Sequence, residues 1–218
     1  MATVWAPFDA PRIGSWQDRA YSSGWSHTIL FSSLPGLRNE MHRRNLDHRV
    51  TRLGIVAHGD HPGRVQLNER LDVNSIGSFS EQIRLFGDYL TSDAQFIFYS
   101  CIAAAGRKGG EFLCRISNYL PGRTIVGFTV YGLTLAGEAL SHMSPQTPGH
   151  ISPATRLGQR IEGHGFMDPY DVFAKWARNG RIIKDAPVER DAQRHCANPQ
   201  CPGHADSRHN CQGWPPLR

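Results

Sequence analysis

Leu53-Gly54-Ile55-Val56-Ala57-His58-Gly59-Asp60 and Ala94-Gln95-Phe96-Ile97-Phe98-Tyr99-Ser100-Cys101 are apolar, β-rich runs that each stop at a reactive side chain. A continuous apolar run of this length, bounded by polar turn residues, is the pattern of a parallel strand buried on both faces. The carboxyl ends of such strands carry the chemistry of open α/β sheets. If the two strands are neighbours, His58 and Cys101 emerge side by side at one sheet edge, a nucleophile with its base.

The segments around these runs support that reading. Ser78-Phe79-Ser80-Glu81 has the form of a capping box, and Phe79, Ile83, Phe86 and Leu90 recur at helical spacing. A helix crossing over between the two runs makes a right-handed βαβ unit and a parallel pair. After Cys101, a glycine-rich stretch leads into a second helix with Leu113, Ile116 and Leu120 facing inward. Pro121-Gly122 ends it, and residues 124–131 form the next strand. Upstream, residues 28–31 predict a short strand, and Ser33 with Pro35 opens a helix whose inner face holds Leu37 and Met41. Residues 64–67 predict a small hairpin strand.

Downstream, residues 132–165 lose all period and fill with Pro, Gly, His and Ser, the composition of a long binding loop or of a disordered segment. Asp168-Pro169 is expected to cap a helix carrying Val172, Phe173 and Trp176, closed by Asn179-Gly180. Residues 181–184 read as a final edge strand. Alternating strands and helices predict an α/β fold, a three-layer α/β/α sandwich with a mostly parallel sheet. This domain takes in residues 26–185. It lies between an irregular N-terminal arm, residues 1–25, packed by Trp5, Trp16 and Trp25, and a Cys/His-rich tail, residues 186–218.

Composition bounds the function. At 218 residues the chain can bury a large core, and 39% hydrophobic with 20% charged residues is ordinary for a globular protein. The net charge of +5 comes from basic residues scattered through the chain, so nucleic acid is not the expected partner. Met1 to Pro7 lacks a basic stretch followed by an apolar core, and no apolar run reaches bilayer length. A cytoplasmic protein without membrane contact is the expectation. Five cysteines, two central and three in the tail, do not make a disulfide framework.

Cys101 and His58 carry the chemistry. A thiol with its ordinary pKa is mostly protonated at neutral pH, so a cysteine hydrolase needs an imidazole or a helix N-terminus to raise the thiolate fraction. Both are at hand here. Gly59, directly after His58, has no Cβ to block a substrate, and its N–H can serve an oxyanion. Taken singly, a cysteine ending a buried strand is an inert hydrophobe and a His-Gly pair is a turn. Their joint placement on successive core strands is what points to catalysis. Cys114, within a helix, reads as structural. Asp60 can orient His58 or His61, or be a loop carboxylate with no role.

Strand-His-Gly, a crossover helix, then strand-small-Cys resembles the caspase-like cysteine peptidases of clan CD, which include caspases, gingipains, legumains and separases. Closer still is the likeness to an uncharacterised bacterial branch of caspase-like domains found in large surface or repeat proteins. There, an HGxPGxxxL stretch is followed by YGCxxAxGxxGxxF. This chain has HGDHPGRVQL at 58–67 and YSCIAAAGRKGGEF at 99–112. Ser100 replaces the usual glycine, one residue is added before the helix glycine, and His61 adds a second imidazole. The resemblance covers residues 28–132. It implies that Cys101 is the nucleophile of a thiol endopeptidase acting on proteins or peptides, and His58 its general base and acid. The N–H groups of Gly59 and Cys101 would form the oxyanion hole, and no catalytic cofactor is implied. The Gln-Ala-Cys signature of caspases is absent, so cleavage after aspartate is not implied.

The tail brings together His195, Cys196, Cys201, His204, His209 and Cys211. Three thiolates and one imidazole close a tetrahedral zinc site. The expected ligands are Cys196, Cys201, His204 and Cys211, and the alternative is a solvated His-rich end. Two further functions stay open: an inactive member of the same fold acting as a scaffold, and a nucleic-acid-associated protein with a zinc tail.

Overall fold

The computed structural model describes residues 1–8, 25–59, 61–68, 70–129, 131–132, 164–165 and 173–186. In chain order these form β1 (Ala2–Pro7), β2 (His27–Thr28), α1 (Leu34–Arg43), β3 (Val50–Val56), β4 (Arg64–Val65) and β5 (Leu71–Asp72). Then come α2 (Ser80–Arg84), set between the 3-10 turns Ile76–Phe79 and Leu85–Asp88, and β6 (Leu90–Tyr99), α3 (Gly106–Tyr119) and β7 (Thr124–Phe128). The pairs β8 (Tyr131–Gly132) with β9 (His164–Gly165), and β10 (Ala174–Arg178) with β11 (Arg181–Lys184), complete the order.

Among the described residues the central sheet has seven strands in the order β11-β10-β7-β6-β3-β1-β2. From β2 to β7 all pairings are parallel; β10 and β11 are antiparallel at one edge. The protein is therefore mixed α/β with a mostly parallel sheet. The two apolar runs are β3 and β6, direct neighbours, with Val56 opposite Tyr99 at the end of the ladder.

Strand alternation sorts the side chains onto two faces. Leu53, Ile55, Phe96, Phe98 and Ile125 turn to one face, where they pack with Leu37 and Met41 of α1, Ile83 of α2, and Phe112, Leu113 and Ile116 of α3. Phe86, Phe96, Phe98 and Phe112 form a ring stack through this core, with successive centroids 5.7, 4.9 and 5.4 Å apart. The other face gathers Trp5, Val56, Ile97, Tyr99, Val126 and Phe128, with Trp25 against them. Gly54 makes room there: a Cβ on it would stand 2.8 Å from the Tyr99 ring and 3.1 Å from Trp25.

α1 forms as its sequence dictates. The Ser33 hydroxyl accepts the Gly36 N–H at 3.2 Å, Pro35 occupies the first turn, and Leu37 and Met41 are buried. The strand expected at residues 28–31 is shorter, reduced to His27–Thr28 with an isolated bridge from Phe31 to Phe8. β7 stops at Phe128, ahead of the expected Tyr131.

Three expectations are corrected. The N-terminal arm is not irregular throughout: Ala2–Pro7 is an inner strand, held between β2 and β3. Thr3-Val4-Trp5-Ala6 supports it, because Val4 and Ala6 reach the helical face while Trp5 reaches the aromatic one. Trp16 lies outside the described residues.

Second, Ser78 to Glu81 makes no capping box. The helical turns begin at Ile76, and neither Ser75 nor Phe79 caps with its side chain. Instead the Asp72 carboxylate accepts the N–H groups of Asn74 and Ser75, a local turn that uses up the cap chemistry earlier. Leu90, assigned to that helix, opens β6.

Third, the helix expected to carry Phe173 and Trp176 does not form: Trp176 is in strand β10, and Phe173 directly precedes that strand. Its partner in β11 is reached through Asn179 and Gly180, both left-handed with φ of 48° and 76°. That is the backbone of a two-residue hairpin turn. Asn179 Oδ1 also accepts the Gly122 N–H at 2.8 Å, tying the hairpin to the turn before β7. Asp168 and Val172 are outside the described residues.

Because Trp5 is fully buried on an inner strand, Trp5→Ala is expected to lower stability by about 3–5 kcal/mol. A loss below about 1 kcal/mol in a denaturant titration would mean that β1 is peripheral. No described helix is long and apolar enough to cross a membrane.

Candidate active site

β3 and β6 end together, so the residues just past them share one sheet edge. His58 lies two residues beyond Val56, and Cys101 two beyond Tyr99. The closeness of the two segments is read from Gly59. A Cβ on it would stand 2.1 Å from the Cys101 carbonyl oxygen and 2.8 Å from the Cys101 nitrogen. The backbone after His58 therefore lies directly on the Cys101 peptide, and only glycine permits it. His58 is exposed and Cys101 half-buried, its side chain against the aromatic face.

Main-chain hydrogen bonds hold this edge. The Gln66 N–H donates to the His58 carbonyl at 2.8 Å, so the loop after β3 folds back beside it. Gly63, at φ 76°, donates to the Ala103 carbonyl at 3.0 Å. The Ala104 N–H donates to the Phe128 carbonyl at 2.9 Å. The turn that carries Cys101 is thereby pinned from the β3 side and from the β7 side. Ile102, buried directly after the cysteine, has φ 48°. A β-branched side chain in the left-handed region is strained, and such strain persists only where the surroundings over-determine it.

α3 opens at Gly106, five residues past Cys101. Among the described residues no side chain caps its N-terminus, and its first turn holds no acidic residue, so no carboxylate of the helix itself offsets the positive end of its dipole. Gly109 allows the turn to pack on the helix, since a Cβ on it would fall 2.1 Å from the Ala104 carbonyl carbon. The Gly59 N–H makes no hydrogen bond among the described residues.

The other candidates separate from this edge. Cys114 sits on α3, and burial pushes its thiol up, away from the thiolate. His61 Nδ1 is 3.2 Å from the Arg64 guanidinium, and Arg64 in turn is buried, with Nε 3.9 Å from the Asp72 carboxylate. An arginine only donates, so Nδ1 is the acceptor of this contact. Asp60 and the tail ligands Cys196, Cys201, His204 and Cys211 lie outside the described residues. Among the described residues no group of three or more His, Cys, Asp or Glu is placed to hold a metal.

Sequence reasoning missed the two pins on the cysteine turn and the left-handed Ile102. Gly63 was a usable signal for a positive-φ contact. Nothing in an Ile-Ala-Ala-Ala run signals a strained backbone.

Residues 22–127 match a family described as a domain of unknown function (DUF4347). That span includes His58, Gly59 and Cys101 and leaves β1 outside it. No curated protein and no solved structure matches the chain.

Proposed function

We propose that this chain is a caspase-like cysteine endopeptidase, its sheet the middle layer of an α/β/α sandwich, and that Cys101 and His58 form its catalytic dyad. The observation that supports it most is the contact of the Gly59 backbone with the Cys101 peptide at the shared end of β3 and β6. In the proposed reaction the Cys101 thiolate adds to the peptide carbonyl, and the oxyanion is held by the N–H groups of Gly59 and Cys101. Collapse breaks the C–N bond, and the amine leaves with a proton from His58. His58 then deprotonates a water that adds to the thioester. The carboxylic acid departs and the thiol is restored.

The test is cleavage of a mixed peptide library by the full chain, with Cys101→Ala alongside. The rival reading, an inactive scaffold of the same fold, is favoured by Ser100 in place of the usual glycine before the cysteine; its buried hydroxyl has no hydrogen-bond partner among the described residues. It predicts no cleavage and an unreactive Cys101.

In the same reading the tail holds one structural zinc through Cys196, Cys201, His204 and Cys211. Four ligands leave no open position for water, so the metal would take no part in hydrolysis. Elemental analysis of chelator-free protein should give about one zinc per chain, lost when the chain is cut before His195. Zinc-free protein, or zinc that survives the cut, rejects the site.

A further inference from the structure

A cleft opens where three segments of chain meet: the residues entering α1, the loop after β4 and the start of α2. Ser32 and Leu34 supply one wall, Leu67 and Asn68 the second, and Phe79 and Gln82 the third, around a volume of about 220 Å³. The Asn68 amide donates to the Ser32 carbonyl at 2.8 Å and ties the first two walls together. Ser32 and Asn68 are exposed, at the mouth, while Leu34 and Phe79, each 6% exposed, form the base. The cleft has both room for a side chain and an opening to solvent.

It lies at the same sheet edge as the dyad. α1 opens just after the chain leaves parallel strand β2, and Leu67 directly follows Gln66, whose N–H donates to the His58 carbonyl at 2.8 Å. Residues opposite one another in an antiparallel bridge are about 5 Å apart and successive Cα atoms about 4 Å, which puts Leu67 within about 10 Å of His58. An extended peptide advances about 3.3 Å per residue, so a side chain about two or three residues from the scissile bond spans that distance. Leu34, Leu67 and Phe79 belong to the helical face and Cys101 to the aromatic one. The peptide therefore crosses the sheet edge past His58 to reach the cleft.

The lining selects the occupant. None of the described residues lining the cleft carries a charge, so a carboxylate or ammonium entering it would lose water without gaining a counter-ion. The base of Leu34, Leu67 and Phe79 calls for an apolar group. Size narrows the choice: an apolar cavity of about 150 Å³ holds one benzene, so about 220 Å³ takes a single aromatic ring with its methylene. The Phe79 ring offers edge-to-face or offset packing that no aliphatic side chain obtains. At the mouth, the Ser32 hydroxyl and the Gln82 carboxamide can bond a phenol, so phenylalanine and tyrosine are both admitted.

We propose that this cleft is a substrate subsite for an aromatic side chain, phenylalanine or tyrosine, about two or three residues from the scissile bond. The subsite rests on the peptidase reading, but its test does not depend on turnover. Full-length Cys101→Ala protein with 13C-labelled leucine methyls is titrated with the peptide Ac-GGFGG-amide, and with its counterparts carrying leucine or glutamate at the centre. Leu34→Ile and Leu67→Ile assign the two signals. A phenyl ring in the cleft shifts the methyls of both by its ring current, which the other peptides cannot do.

Both signals are expected to shift with the phenylalanine peptide, and Phe79→Leu is expected to weaken its binding about threefold to tenfold. Ser32→Trp, at the exposed mouth, is expected to abolish the shifts and keeps the test open if Phe79→Leu does not fold. Equal affinity for the leucine peptide, preference for glutamate, no shift at millimolar peptide, or shifts that Ser32→Trp leaves unchanged overturns the subsite. Labelling of wild-type Cys101 by thiol-reactive peptides with and without the aromatic residue is scored separately. No labelling with the shifts intact rejects the dyad and leaves an aromatic-binding cleft, whereas labelling indifferent to the aromatic residue rejects the subsite and leaves the dyad.

Discussion

Cys101→Ala protein is expected to cleave peptides at least about 10⁴-fold more slowly than wild type, because removing a covalent nucleophile leaves only binding and oxyanion stabilisation. It is also expected to fold normally. Cys101 is half-buried at a strand end, and exchanging one small side chain for another there costs about 1 kcal/mol or less. His58→Ala should lose about 10²–10⁴-fold, the range of general acid–base catalysis. Cys114→Ala should keep wild-type cleavage, since burial holds that thiol protonated. Labelling by a peptidyl electrophile, mapped by mass spectrometry, gives the same answer without a known substrate. Cleavage by Cys101→Ala at the wild-type rate would remove Cys101 as nucleophile.

Gly59→Ala is expected to lower activity about 10²-fold, and unlike Cys101→Ala it should also destabilise the fold. The added methyl would stand 2.1 Å from the Cys101 carbonyl oxygen. Both sides of that clash are main chain, so no rotamer change relieves it. The cysteine turn has little room to retreat, being pinned at Ala103 by Gly63 and at Ala104 by Phe128. Overpacking of this kind costs about 1–3 kcal/mol, and a shift of about 1 Å in reacting groups costs about 10²-fold in rate. The expected result is a lower denaturation midpoint together with loss of Cys101 labelling. Gly77→Ala is the control, because nothing lies within 4 Å of its added carbon. If Gly59→Ala labels and unfolds like wild type, the two segments are not in contact in solution.

What could be read from the chain alone was whatever short-range pattern decides. The runs at 53–57 and 96–99 are apolar, so burial on both faces and a parallel pairing followed, and with it the common edge of His58 and Cys101. Ser33 with Pro35 announced α1 because capping is settled within one turn.

Tertiary structure decided the rest. Residues 2–7 became an inner strand only because β3 and β2 offer it two ladders, which no local pattern specifies. Phe173 and Trp176 are spaced as on a helix, yet the antiparallel edge of β7 and the Asn179-Gly180 turn made Trp176 part of a hairpin that Phe173 leads into. The left-handed Ile102 depends on hydrogen bonds from Gly63 and to Phe128, residues 39 positions before it and 26 after it. The composition of a segment says which residues can react, but the pins and glycine contacts that set the Cys101 peptide against Gly59 come from chain far away in sequence, and exist only once the sheet has formed.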